Sequence, residues 1–424
     1  MKGEAEVEID HLGNAGDGVA RFDFGDLLHV AHTLPGEIVR VGIDSQGPRG
    51  ARAHIIALLR ESADRVPPPC PHFDEYCGGC ALQHMGDAAY ATWKRNLVVT
   101  ALTRAGIASP TIGPLIRTPP KARRRMDLAV KRREGGVLLG LHRSQTTDII
   151  DMSVCEVLHP ALFALIAPLR RTLSSLAGLR NAGSVIVNLL ASGPDVLIRT
   201  DGPLTPQDRT KIAGFATAHA VPRIAWALGN GAYEVAAQAF APHETFAGHR
   251  VETPPGAFLQ ASAEGEAAII ASVLAGLPKK LTGKSRAIEL FAGCGTISFP
   301  LAAHLRVVAY EGEAAAAAAV RRAQAGSRVE MIQRDLARQP LSAKELSSAA
   351  LVVLDPPYGG AAAQMPAIAA SGVKQVIYVS CNPGALTKDA AILLKAGYAL
   401  VSATPIDQFL WSAQVECVAV FERK

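Results

Sequence analysis

The run Ile288-Glu-Leu-Phe-Ala-Gly-Cys-Gly-Thr-Ile297 constrains this chain more than any other stretch. An apolar strand that ends on a Gly-x-Gly turn and continues as a helix is the opening unit of an open, mostly parallel α/β sheet. Glycine at 293 and 295 lets the backbone approach a ligand closely, and the helix that follows offers unpaired N–H groups. From Pro254 onward the chain keeps to this plan. Periodicity predicts helices over 264–277, after 295 and over 313–325, with strands at 286–291, 305–310, 329–333, 350–354, 375–380, 399–404 and 416–422. Such alternation predicts a doubly wound sheet with its crevice at the C-terminal strand ends.

The N-terminal third reads differently. Five short strands, at 4–9, 18–24, 27–32, 37–43 and 51–59, fit a small OB-type β-barrel that ends near residue 62. Pro67-Pro68-Pro69 stiffens the exit, and 87–105 reads as a helix with Tyr90, Trp93, Leu97 and Leu102 at roughly helical spacing. Residues 118–252 mix strands and helices around a basic block, Lys121 with Arg123 to Arg125 and Lys131 to Arg133. The result is a multi-domain chain: 1–62 barrel, 63–252 α+β centre, 253–424 α/β. The helix at 87–106 is a candidate to pack on the last of these. No apolar run spans a membrane and the first residues lack a signal-peptide core, so a cytoplasmic monomer is expected. Clustered basic charge points to a polyanionic partner.

Chemistry concentrates at three strand ends. The glycine turn lacks the third glycine of the dinucleotide fingerprint, with Ser298 in its vicinity, and Glu311 ends the next strand where a carboxylate could accept from ribose hydroxyls. This favours S-adenosylmethionine over NAD; the bland alternative is an ordinary tight turn. Cys381 follows the strand at 375–380 and is a candidate nucleophile toward an electron-poor carbon. Asp355 follows the strand at 350–354 in Asp355-Pro-Pro-Tyr358, a sequence that also suits methylation of an exocyclic amino group, or serves simply as a turn. Glu416 opens the last strand among apolar neighbours, where burial could raise it into the range of a useful base; a strand-end glutamate is otherwise surface.

Of seven cysteines, Cys70, Cys77, Cys80 and the distant Cys155 offer four thiolates around a single C-x2-C knuckle. Spacing alone fits iron-sulfur and zinc alike, and free thiols remain a third reading. Gly78 and Gly79 would let backbone N–H groups reach the sulfurs.

Gly16-Asp-Gly-Val19, Leu34-Pro-Gly-Glu37, Cys77-Gly-Gly-Cys-Ala-Leu-Gln-His84, Phe258-Leu-Gln260, Leu290 to Gly295, Asp355-Pro-Pro357, Val379-Ser-Cys-Asn-Pro383 and Val415-Glu416, in that order, resemble the RNA uracil-5-methyltransferase family. The likeness is to its 23S ribosomal-RNA branch, which carries an N-terminal TRAM barrel and an iron-sulfur cluster. It implies a [4Fe-4S] cluster on Cys70, Cys77, Cys80 and Cys155, and S-adenosylmethionine held by Gln260, Phe291, Gly293, Gly295, Thr296, Glu311, Asp335 and Asp355. It further implies covalent attack by Cys381 on uracil C6 and proton abstraction by Glu416, with ribosomal or transfer RNA as partner. Against the family pattern, Ser262, Tyr358, Ala385 and Gln414 are departures expected around the target base. An amino methyltransferase using Asp355 and Tyr358 and a non-catalytic RNA-binding protein are the competing readings; Cys381 with Glu416 separates the first, an intact cofactor turn the second.

Overall fold

The computed structural model describes residues 3–22, 26–47, 50–282 and 284–423. Its largest sheet has eight strands in the order Val329–Gln333, Arg306–Glu311, Arg286–Leu290, Leu351–Leu354, Gln375–Ser380, Glu416–Arg423, Tyr398–Asp407, Ile116–Arg117. The first five run parallel, whereas Glu416–Arg423 is antiparallel to both neighbours. From Arg286–Leu290 the chain builds outward to one side, then returns to build the other, so the strand order reverses between Arg286–Leu290 and Leu351–Leu354. Adjacent connections leave that point on opposite faces and open a crevice at the strand ends. The strands are buried on both faces and read as continuous apolar runs, as in Leu351-Val-Val-Leu354.

Residues 87–117 lie in the first third of the sequence but pack on this sheet. Val98 and Leu102 of the helix Asp87–Arg104 share a core with Tyr378, Leu393 and Phe421. Thr387 Oγ1 donates to the Ala101 carbonyl at 3.0 Å. The helix buries Tyr90, Lys94, Val98, Ala101 and Leu102, while Trp93 and Leu97 are only partly covered, so the buried face includes a lysine that hydrophobic periodicity assigns to solvent.

A second sheet of seven strands holds Arg125–Arg133 and Ala182–Leu190 at its centre; all its pairings are antiparallel except that of Gly193–Thr200 with Arg223–Leu228. The N-terminal sheet has six strands, ordered Glu4–Glu8, Ile38–Gly47, Gly50–Arg60, Asp26–Val30, Gly18–Phe22, His11–Leu12. Its two outer strands are separated by only Ile9 and Asp10. Ile9 N–H donates to the Glu37 carbonyl and Asp10 N–H to the Val19 carbonyl, each at 2.9 Å, so this two-residue link bonds to both ends of the sheet. The strand expected at 18–24 is seen as Gly18–Phe22, with 23 and 24 outside the described residues. No described helix is long and apolar enough to cross a membrane.

Candidate active site

Register brings the chemistry together. Ser380 pairs with Cys417 across an antiparallel ladder, so Cys381, one residue past the end of its strand, faces Glu416, the first residue of the partner. Leu354 lies beside both Leu290 and Tyr378, which sets Asp355 between Phe291 and Val379, two residues before Cys381. A cleft of about 1000 Å³ is lined by Cys381, Glu416, Asp355, Gln260, Phe291, Gly293, Thr296 and Glu311.

The glycine turn is built as the sequence requires. Phe291, Gly293 and Gly295 all have positive φ, at 63°, 54° and 91°. At Gly293 a Cβ would meet open space, so its requirement is conformational; at Gly295 a Cβ would lie 2.8 Å from the Phe299 ring. Glu311 holds the turn in place, accepting from Gly293 N–H and Glu313 N–H, both at 2.7 Å. Asp335 is exposed beside Gly312, the residue after Glu311, and accepts from Ala337 N–H at 3.0 Å.

Two amides join the partly buried Asp355 to the buried Glu416. Gln260 Nε2 donates to Asp355 Oδ2 at 3.0 Å; Gln408 Nε2 donates to Gln260 Oε1 at 2.8 Å and to Glu416 Oε2 at 2.7 Å. Burial pushes Asp355 upward against the Gln260 bond, and pushes Glu416 upward further with help from the Asp355 charge. Burial also carries the Cys381 thiol up to about 12, with Glu416 and then Asp355 adding to it. A thiol, a base of raised pKa and a nucleotide-type turn thus share one cleft, an arrangement suited to nucleophilic attack followed by proton removal.

An RNA methyltransferase of Brucella suis is 40% identical over 423 residues, 99% of this chain and 98% of the relative. The 23S rRNA (uracil(1939)-C(5))-methyltransferase RlmD of Chromohalobacter salexigens is 35% identical over 98% of this chain and 89% of its own. The chain belongs to the RNA uracil-5-methyltransferase family. No family model matches it. A crystal structure of the Pyrococcus abyssi tRNA (uracil-54, C5)-methyltransferase with S-adenosyl-L-homocysteine superposes with a TM-score of 0.73 at 19% identity, covering 98% of this chain and 99% of that one, and so shares the fold.

In this methyltransferase the basic block does not form one face. Arg124 is 7% exposed and pairs with Glu266 at 2.5 Å and Glu244 at 3.4 Å. Arg132 donates to the carbonyls of Leu179, Ser174 and Leu176. Arg123 and Arg125 do line the cleft. Consecutive basic residues point in opposite directions along an extended segment, which a count of charge cannot resolve.

The departures from the family pattern also divide. The Ser262 hydroxyl caps the helix Ala263–Ala275, accepting from Gly265 N–H at 2.9 Å, a task serine does as well as asparagine. Ala385 is buried beside Gly360 and outside the cleft lining, contrary to the expectation that it borders the base. Ser262, Tyr358 and Gln414 do line the cleft.

Cys70, Cys77, Cys80 and Cys155 line a second, enclosed cavity together with Leu141, Met152 and Val157. Leu158 N–H donates to the Cys155 sulfur at 3.4 Å, whereas Gly78 N–H goes to the His142 carbonyl at 2.9 Å rather than to a sulfur. Among the described residues no group of three or more His, Cys, Asp or Glu side chains is set to hold a metal ion as the chain stands. The donor chemistry of the cavity fits a soft-metal cluster nonetheless: four thiols, that of Cys155 already receiving a backbone N–H bond, in an apolar pocket.

Sequence reasoning missed Gln408, Lys94 and Asp407. Lys94 carries no signal in a helix that mixes polar and apolar residues; Asp407 is a charged residue closing a mostly apolar strand, and Gln408 lies just past it.

Proposed function

We propose that this enzyme methylates C5 of a uridine in 23S ribosomal RNA through a covalent bond between Cys381 and uracil C6. The observation that carries the reading is the facing of Cys381 and Glu416 across the strand ends, in the cleft that also holds the glycine turn. Uracil C5 is too weak a nucleophile to take a methyl group unaided. The Cys381 thiolate adds to C6, and the electron pair of the C5=C6 bond moves to an enolate with density on C5. Bound S-adenosylmethionine supplies an electrophilic methyl on its sulfonium, which C5 takes, leaving the thioether. Glu416 then removes the C5 proton, the double bond reforms and the thiolate departs from C6. Gln260, Phe291, Gly293, Gly295, Thr296, Glu311 and Asp355 would hold the cofactor, with Asp335 at its adenine edge.

The target base must leave its stack to reach Cys381, at a cost of about a few kcal/mol. Arg123, Arg125 and a TRAM-type N-terminal barrel would grip the phosphates meanwhile. Relatives named for 23S rRNA at 35% and 32% identity support ribosomal over transfer RNA. The decisive experiment is mass-spectrometric mapping of RNA from cells lacking the protein. Loss of one 5-methyluridine from 23S rRNA, restored by the gene, is expected; loss from tRNA alone, or loss of a methylated exocyclic amine, overturns the assignment.

Cys70, Cys77, Cys80 and Cys155 would hold a [4Fe-4S] cluster, whose contribution is to cross-link the 70–80 loop to the segment around 155. Anaerobically purified protein should be brown and carry about four irons per chain, as four-thiolate cubanes do. Stoichiometric zinc without iron contradicts this.

A further inference from the structure

Gln408 follows directly on the strand Tyr398–Asp407 and is 3% exposed, and the reaction as written gives it no part. Its amide orientation is not open to choice. Ala261 N–H, 2.9 Å away, can only donate, so the Gln408 oxygen must face it. The two amide hydrogens then point at Gln260 Oε1 and Glu416 Oε2. With its oxygen committed, Gln260 must turn its own NH2 toward Asp355. One backbone N–H therefore fixes the polarity of the whole chain from base to cofactor side.

The other oxygen of Glu416 is treated differently. Oε1 is buried and has no hydrogen-bond partner among the described residues. A buried acceptor left bare is costly unless something arrives to use it. With Oε2 already accepting an N–H bond, Oε1 is the oxygen of this carboxylate with no bond to break before it takes a proton.

We infer that Gln408 is a positioning residue for the methyl-transfer reaction: it occupies Glu416 Oε2, so reserving Oε1 for the C5 proton, and ties the base to Gln260 and Asp355. The inference rests on the role proposed above for Glu416. Gln408→Met keeps the length of the side chain and removes its donors, freeing Glu416 to rotate and orphaning Gln260 Oε1.

The test uses the full-length protein, substrate RNA and methyl-labelled cofactor, quenched at early times and run on a denaturing gel. Methyl transfer precedes the proton step, so Gln408→Met should raise the steady-state fraction of methylated Cys381–RNA adduct at least tenfold over wild type. Gln408→Asn, which keeps the amide on a shorter stem, should fall between the two and serves if the methionine variant folds poorly. Cofactor binding and thermal unfolding, measured alongside, identify a merely structural defect. Turnover that slows with no rise in adduct, in both variants, overturns the inference while leaving Glu416 as base. Glu416→Gln in parallel separates the two: if that variant also shows no adduct, the role of Glu416 fails and takes the inference with it.

Discussion

Cys381→Ala should abolish RNA methylation and form no covalent species, whereas Glu416→Gln should transfer the methyl group and then stall with the RNA still attached to Cys381. The asymmetry follows from the order of events: without the thiol, C5 never gains electron density, but without the base only the final elimination is lost. Removing a nucleophile or a base that acts at a discrete step costs on the order of 100-fold to 10,000-fold or more. A second readout is independent of RNA. The Glu416 charge helps hold the Cys381 thiol high, so Glu416→Gln should lower that thiol pKa and speed its alkylation between neutral and alkaline pH. In the wild type, burial raises Glu416, so its proton is retained well above the usual carboxylate range and turnover should fall as pH drops through neutrality. Full activity of Cys381→Ala, or an alkylation profile indifferent to residue 416, would remove the basis for the scheme.

Lys94→Met should be the most destabilising single change away from the cleft. Lys94 is fully buried and donates to Asp407 at 2.8 Å, to the Phe409 carbonyl at 3.2 Å and to the Gln414 carbonyl. Tyr90 adds a bond to the same carboxylate at 2.7 Å. Two carbonyls that bracket the loop before Glu416 are thus fixed to a helix drawn from a distant part of the sequence. Deleting one member of a buried pair leaves an uncompensated charge and costs about 3–5 kcal/mol. Urea unfolding should register that loss. Lys94→Met with Asp407→Asn should recover part of it, because the second change removes the stranded charge. A midpoint unmoved by Lys94→Met would mean that the pair contributes nothing.

The sheet of the C-terminal half was legible because its signals are local: apolar runs of strand length, glycines where φ must be positive, and helices between them. Cys381, Asp355 and Glu416 stood out because each ends or begins such a run, and strand ends are where an open sheet has its crevice. The four cysteines were legible as a group, though not the distribution of N–H bonds to them. Arg124 and Arg132, by contrast, count as basic charge in the sequence yet are consumed by Glu266, Glu244 and backbone carbonyls.

Sequence by itself therefore determined the strand–helix order and the glycine turn, and singled out Cys381, Asp355 and Glu416 as candidates, since each of these depends on residues within a few positions of one another. Only the tertiary structure decided that the helix Asp87–Arg104 supports the C-terminal sheet, that Lys94 is a buried cation, and that Gln408 links Glu416 to Gln260. Those contacts join positions up to 320 residues apart. Their partners are chosen by burial, where an unpaired polar group is costly, and no local pattern records which distant group will answer it.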